Sequence, residues 1–77
     1  MSGVASRKDS EEARGVWNEA TVKRRRVALG FLGYGSMFQR AYAPRGWGKL
    51  PRSVRADLVR NAMLWVPDLV DMGVRGE

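Results

Sequence analysis

The sequence predicts an all-α fold, a small three-helix bundle with a Gly/Pro/Arg-rich loop between the second and third helices. Three observations lead there. Apolar residues recur at three- and four-residue intervals in two long stretches, no segment alternates with period two, and glycine and proline gather between the stretches. The chain has 77 residues, 44% hydrophobic and 29% charged, which suits one small domain able to collapse. A core of that size supplies only roughly 3–5 kcal/mol, so a bound partner or a second copy is expected to add to it.

Residues 1–8 are small and polar and read as a flexible arm, followed by a single helical domain over 9–73 and a frayed tail at 74–77. Asp9 or Ser10 is placed to cap the first helix, with Glu11 and Glu12 against the positive end of its dipole. From there Ala13, Val16, Trp17, Ala20, Val27, Ala28 and Phe31 keep to one helical face, which predicts one continuous helix. Arg24 falls within that stripe, its stem along the core and its head in water. Val22 and Leu29 fall on the opposite side and predict a homodimer interface.

Gly30, Gly33 and Gly35 end that helix. Ser36 and Gln39 have capping-box spacing for a short second helix over 37–43, with Met37, Phe38, Ala41 and Tyr42 on its apolar side. Pro44 to Lys49 reads as loop. The third helix opens near Pro51 or Ser53, carries Leu50, Val54, Leu58, Ala62 and Trp65 on its core face, and stops before Pro67. A last turn covers Asp68 to Met72 and closes at Gly73.

Absence of cysteine and histidine removes disulfides, thiolate nucleophiles, the usual general base and the commonest metal ligands. The carboxylates sit mostly near the two ends, without a spacing that demands an acid and base pair, so neither catalysis nor a cofactor is expected. Arg7 and Lys8 are not followed by an apolar run, and no apolar stretch is long enough for a bilayer. A cytoplasmic protein with no membrane contact is the expectation, which the lack of cysteine fits.

The formal charge is +6, and it is unevenly placed. Residues 21–60 hold ten basic side chains against one acid, Asp57, whereas acids outnumber bases on both sides of that segment. Lys23, Arg24, Arg25 and Arg26 surround the first helix; Arg40, Arg45, Lys49, Arg52, Arg55 and Arg60 gather around the loop and third helix. Arginine forks onto phosphate better than lysine does, so a phosphate-bearing polymer is the natural ligand, DNA before RNA. Trp47, between Gly46 and Gly48 and flanked by Arg45 and Lys49, completes a candidate finger able to stack or wedge.

From Arg45 to Val54 the chain resembles the minor-groove loop of the xenogeneic-silencer family, in which Arg-Gly-Arg leads into a proline-started helix. Trp47 stands at the second arginine and Gly48-Lys49 is an insertion, so the family's two-arginine pincer is not reproduced. Gly15-Val16 with Ala20-Thr21-Val22 is similar to the turn and recognition helix of helix-turn-helix proteins, with the spacing one residue longer.

The site expected from sequence is therefore Lys23, Arg24, Arg25, Arg26, Arg40, Arg45, Trp47, Lys49, Arg52 and Arg55, in a small regulatory or architectural nucleic-acid-binding protein. The other open reading is a protein-interaction module, an inhibitor or adaptor of phage or plasmid type that docks on an acidic protein surface. Its eleven arginines and three tryptophans suit that class equally, since both are common interface anchors.

Overall fold

Thr21 breaks the first long apolar stripe into two helices. In the computed structural model, which describes residues 7–74, α1 runs over Arg7–Glu19 and α2 over Val22–Phe31. Thr21 between them is extended (φ −71°, ψ 165°), and its hydroxyl accepts from the Arg24 amide at 3.2 Å, a side-chain N-cap. Further elements are α3 (Ser36–Tyr42), a single 3-10 turn (Trp47–Lys49), α4 (Arg52–Arg60) and α5 (Ala62–Val74). The class is all-α, with no strand among the described residues and five helices where three were expected.

The break re-registers everything after it. The inner face of α2 is Arg25, Ala28 and Leu29, continued by Leu32 just past its end, and Phe31 is turned partly into water. Leu29, placed on the outer face by a continuous helix, is fully buried in the core, so the expected dimer pair of Val22 and Leu29 does not exist as a surface. Gly15 and Val16 lie in mid-α1, and the turn expected there for a helix-turn-helix falls instead at Ala20–Thr21.

Gly33 closes α2 at φ +88°, a left-handed conformation in which L side chains are strained. The Gly33 amide donates to the Gly30 carbonyl at 3.0 Å and the Tyr34 amide to that of Leu29 at 3.1 Å, the two bonds of a Schellman motif. Ser36 is the first residue of α3, behind an extended Gly35, and no capping box forms. Gln39 instead donates through Nε2 to the Tyr34 carbonyl at 2.8 Å.

Asn61 divides the third predicted helix, its Nδ2 returning to the Asp57 carbonyl at 2.9 Å. Pro67 does not stop α5. Both Met63 and Pro67 are on its exposed side, so the hydrogen bond proline cannot make is missing where water reaches the helix. Arg7 and Lys8, assigned to the arm, are already helical; the remainder of the arm and residues 75–77 of the tail lie outside the described residues.

Trp17 centres the core. Trp47 and Trp65 each meet it edge to face, with centroids 6.4 Å away in both pairs. Ala13, Ala28, Leu29, Leu50, Val54, Leu58, Ala62, Val66 and Leu69 fill the space around them, with α5 laid across α1 and α2. Trp17 and Trp65, the two fully buried tryptophans, have their indole N–H groups satisfied: Trp17 Nε1 donates to the Arg45 carbonyl at 2.9 Å and Trp65 Nε1 to that of Leu58 at 2.7 Å.

Candidate functional site

Arg25 is the hub at which the two basic stretches of the sequence meet. Its Nε donates to the Trp17 carbonyl at 2.8 Å, Nη1 to the carbonyls of Ala43 (3.0 Å) and Arg45 (3.2 Å), and Nη2 to that of Asn18 (3.3 Å). Four carbonyls from the end of α1 and from the loop after α3 thus converge on one planar fork, a geometry only a guanidinium matches. Its pKa is lowered by burial, which opposes the charged form, and the ring of carbonyl dipoles offsets that cost. Arg25 was expected to contact phosphate; its donors are turned inward, and its role in the structure is to clamp the loop.

The same loop is gripped from two further sides. Asn18 Oδ1 accepts from the Trp47 amide at 3.0 Å, and the Trp17 indole holds the Arg45 carbonyl. Trp47 itself is only 8% exposed. A stacking or wedging finger needs its ring outside, so Trp47 is a core residue and not the expected ligand contact: with few large apolar side chains available, the chain packs this one against Trp17. The likeness of Arg45–Val54 to a minor-groove loop stops at the same point, because Trp47, at the place of the second arginine, packs inward.

Arg24 also has an internal partner, the Met72 carbonyl of α5, at 3.4 Å from Nη2. Lys23, Arg26, Arg40, Arg45, Lys49 and Arg52 are exposed, and Arg55 is half-buried. Asp57, the one acid of residues 21–60, accepts from the Tyr34 hydroxyl at 2.7 Å and lies 3.6 Å from Arg60. The first turn of α4 contains Arg52 and Arg55, no acid and no side-chain cap, so cations stand at the positive end of its dipole. That is unfavourable for an isolated helix and favourable for an anion arriving there.

Sequence reasoning passed over an aromatic group beside this surface. Phe38 and Tyr42 on α3 stack at 6.0 Å with 21° between their planes, and Tyr34 meets both edge-on, at 6.1 and 6.4 Å. The Arg45 guanidinium lies 5.4 Å over the Tyr42 ring. The Tyr34 hydroxyl is pushed up to about 12 by desolvation, its hydrogen bond to Asp57 and the nearby negative charge. The four-residue spacing of Tyr34, Phe38 and Tyr42 was the available signal, hidden because Tyr34 precedes the helix that carries the other two.

Among the described residues no group of three acidic side chains is arranged to hold a metal ion, and no helix is long and apolar enough to cross a membrane. Comparison with protein-family models, curated proteins and solved structures finds no match for the chain.

Proposed function

We propose that this protein binds nucleic acid, in a regulatory or architectural role, through phosphate contacts from the exposed cations of residues 21–60. One observation carries the reading. Lys23, Arg26, Arg40, Arg45, Lys49 and Arg52 are exposed in a segment whose only acid, Asp57, is engaged by Tyr34 and Arg60. Such an excess raises the local potential and attracts a polyanion, and the clamped loop carries Arg45 on a backbone that is already ordered before any ligand arrives.

The test is a titration of a fluorescent oligonucleotide with the wild type and a Lys49→Ala/Arg52→Ala variant, each checked by thermal melting. About tenfold weaker binding at an unchanged midpoint is expected for the variant, uniformly across oligonucleotide sequences. Equal affinity of the two proteins counts against the reading.

A second reading, a protein-interaction module, draws on the outer side of α5. Met63 is 90% exposed, and Leu64, Pro67 and Val70 are exposed with it, on a helix whose inner face already fills the core. Failure of the wild type to bind any oligonucleotide at low salt favours this reading over the first.

A further inference from the structure

We propose that Phe38 and Tyr42 form a stacking platform for unpaired bases, so that the preferred nucleic acid is single-stranded. The proposal rests on the nucleic-acid reading above and names its substrate class.

Helix α3 buries none of its residues fully, and of its hydrophobic side chains only half-buried Tyr42 packs against the core. Phe38 is 49% exposed, with part of its ring surface presented to water. Its stacked neighbour Tyr42 is half-buried, and the Arg45 guanidinium lies over that second ring. Aromatic faces beside arginine suit a base together with its phosphate, since every base has a π-face and every linkage a charge.

A duplex hides those faces inside its stack. Unpaired bases expose them, which is why stacking readers take single strands, loops and ends. A purely apolar protein side chain would also cover Phe38, but it gives Arg40 and Arg45, both exposed, nothing to neutralise.

The platform is held in place before binding. Tyr34 abuts both rings edge-on, its hydroxyl is fixed on Asp57 at 2.7 Å, and its carbonyl accepts from Gln39 at 2.8 Å. Gly33 sets the turn that brings Tyr34 there. Little ordering remains to be done when a base arrives, which favours affinity.

The experiment measures fluorescence anisotropy with labelled oligo-dT, oligo-rU, a duplex of the same length, and a strand of equal charge with abasic sites in place of bases. The proteins are the wild type, Phe38→Ala, Phe38→Leu and Phe38→Trp. The wild type is expected to bind oligo-dT and oligo-rU more tightly than either the duplex or the abasic strand. Phe38→Ala and Phe38→Leu are expected to lose at least about fivefold on the single strands and nothing on the abasic strand, while Phe38→Trp retains affinity. Phe38→Leu keeps apolar volume without a π-face, and the abasic strand reads the base contribution on unmodified protein, so an unstable alanine variant does not remove the test.

Equal wild-type affinity for the abasic strand and oligo-dT, or single-strand binding that ignores the Phe38 substitutions, overturns the platform and leaves phosphate binding standing. Binding to none of the four nucleic acids at low salt overturns both.

Discussion

The Arg25 guanidinium lies 5.4 Å over the Trp17 ring while its Nε donates to the Trp17 carbonyl at 2.8 Å, so one residue of α2 holds the central tryptophan of α1 by both ring and backbone. The same guanidinium carries the bonds to Asn18, Ala43 and Arg45. Arg25→Ala is expected to destabilise the fold by about 2–3 kcal/mol, since it leaves carbonyls without their charged donor in a partly screened site. Arg25→Lys recovers little, because an ammonium cannot span the same fork. Arg26→Ala, at the exposed neighbouring position, is expected to stay within about 0.5 kcal/mol of the wild type. Thermal melts followed by circular dichroism check all three, and an Arg25→Ala midpoint equal to that of Arg26→Ala contradicts the clamp.

Trp47→Ala tests the inward placement of the loop tryptophan. Removing a ring packed against Trp17 opens a cavity and is expected to cost about 3–5 kcal/mol, in the range expected for Trp17→Ala and Trp65→Ala. In a domain this small that is close to the whole stability. Urea denaturation of the three variants side by side gives the comparison; a near-native Trp47→Ala midpoint places the ring outside.

Two glycines are expected to respond in opposite directions to the same substitution. A Cβ at Gly15, in mid-α1, meets nothing within 4 Å, so Gly15→Ala removes unfolded-state freedom and stabilises by about 0.5–1 kcal/mol. Gly33 also has space around it, but its φ of +88° makes Gly33→Ala destabilising by about 1 kcal/mol or more. Chemical denaturation of the pair reads both signs, and a stabilising Gly33→Ala contradicts the left-handed turn.

Tyr34 gives the fold an alkaline limit. Its folded pKa is raised to about 12 from an ordinary 10.0, so the neutral hydroxyl is the form that folding favours. That contribution is complete below pH 10, the unfolded value, and is lost as the pH rises through the folded value near 12. Denaturant midpoints of the wild type are expected to fall across that window, and Tyr34→Phe is expected to fall less. Parallel curves for the two proteins exclude the Tyr34–Asp57 bond as the cause.

How far the sequence could be read differs along the chain. The stripe from Leu50 to Trp65 is observed as expected, because Leu50, Val54, Leu58, Ala62 and Trp65 are all buried even though Asn61 divides their helix. The face of α2 differs from the expected one for a physical reason: Thr21 follows Ala20 without a glycine or proline, and a threonine inside an apolar repeat marks a cap only where its hydroxyl reaches an amide. One extended residue there rotates Leu29 inward and Phe31 outward. Pro67 does not act as the expected stop because it lies on the wet side of α5, where water can take the Met63 carbonyl that the proline leaves unbonded and the chain has room to accommodate the ring. In the candidate site, the exposure of Lys23, Arg26, Arg40, Arg45, Lys49 and Arg52 follows from charge alone. Which arginine of the run 24–26 turns inward depends on four backbone carbonyls brought together from distant positions, and no local pattern encodes that.

The central claim, phosphate binding by the exposed cations, is tested most directly by the salt dependence of oligonucleotide affinity. With about five phosphates neutralised, the logarithm of the binding constant is expected to fall against that of the salt concentration with a slope near −3.5 for single strands and −4.5 for duplex. The Lys49→Ala/Arg52→Ala variant is expected to lose about one to two units of that slope. A slope near zero, or no measurable binding at low salt, contradicts the claim.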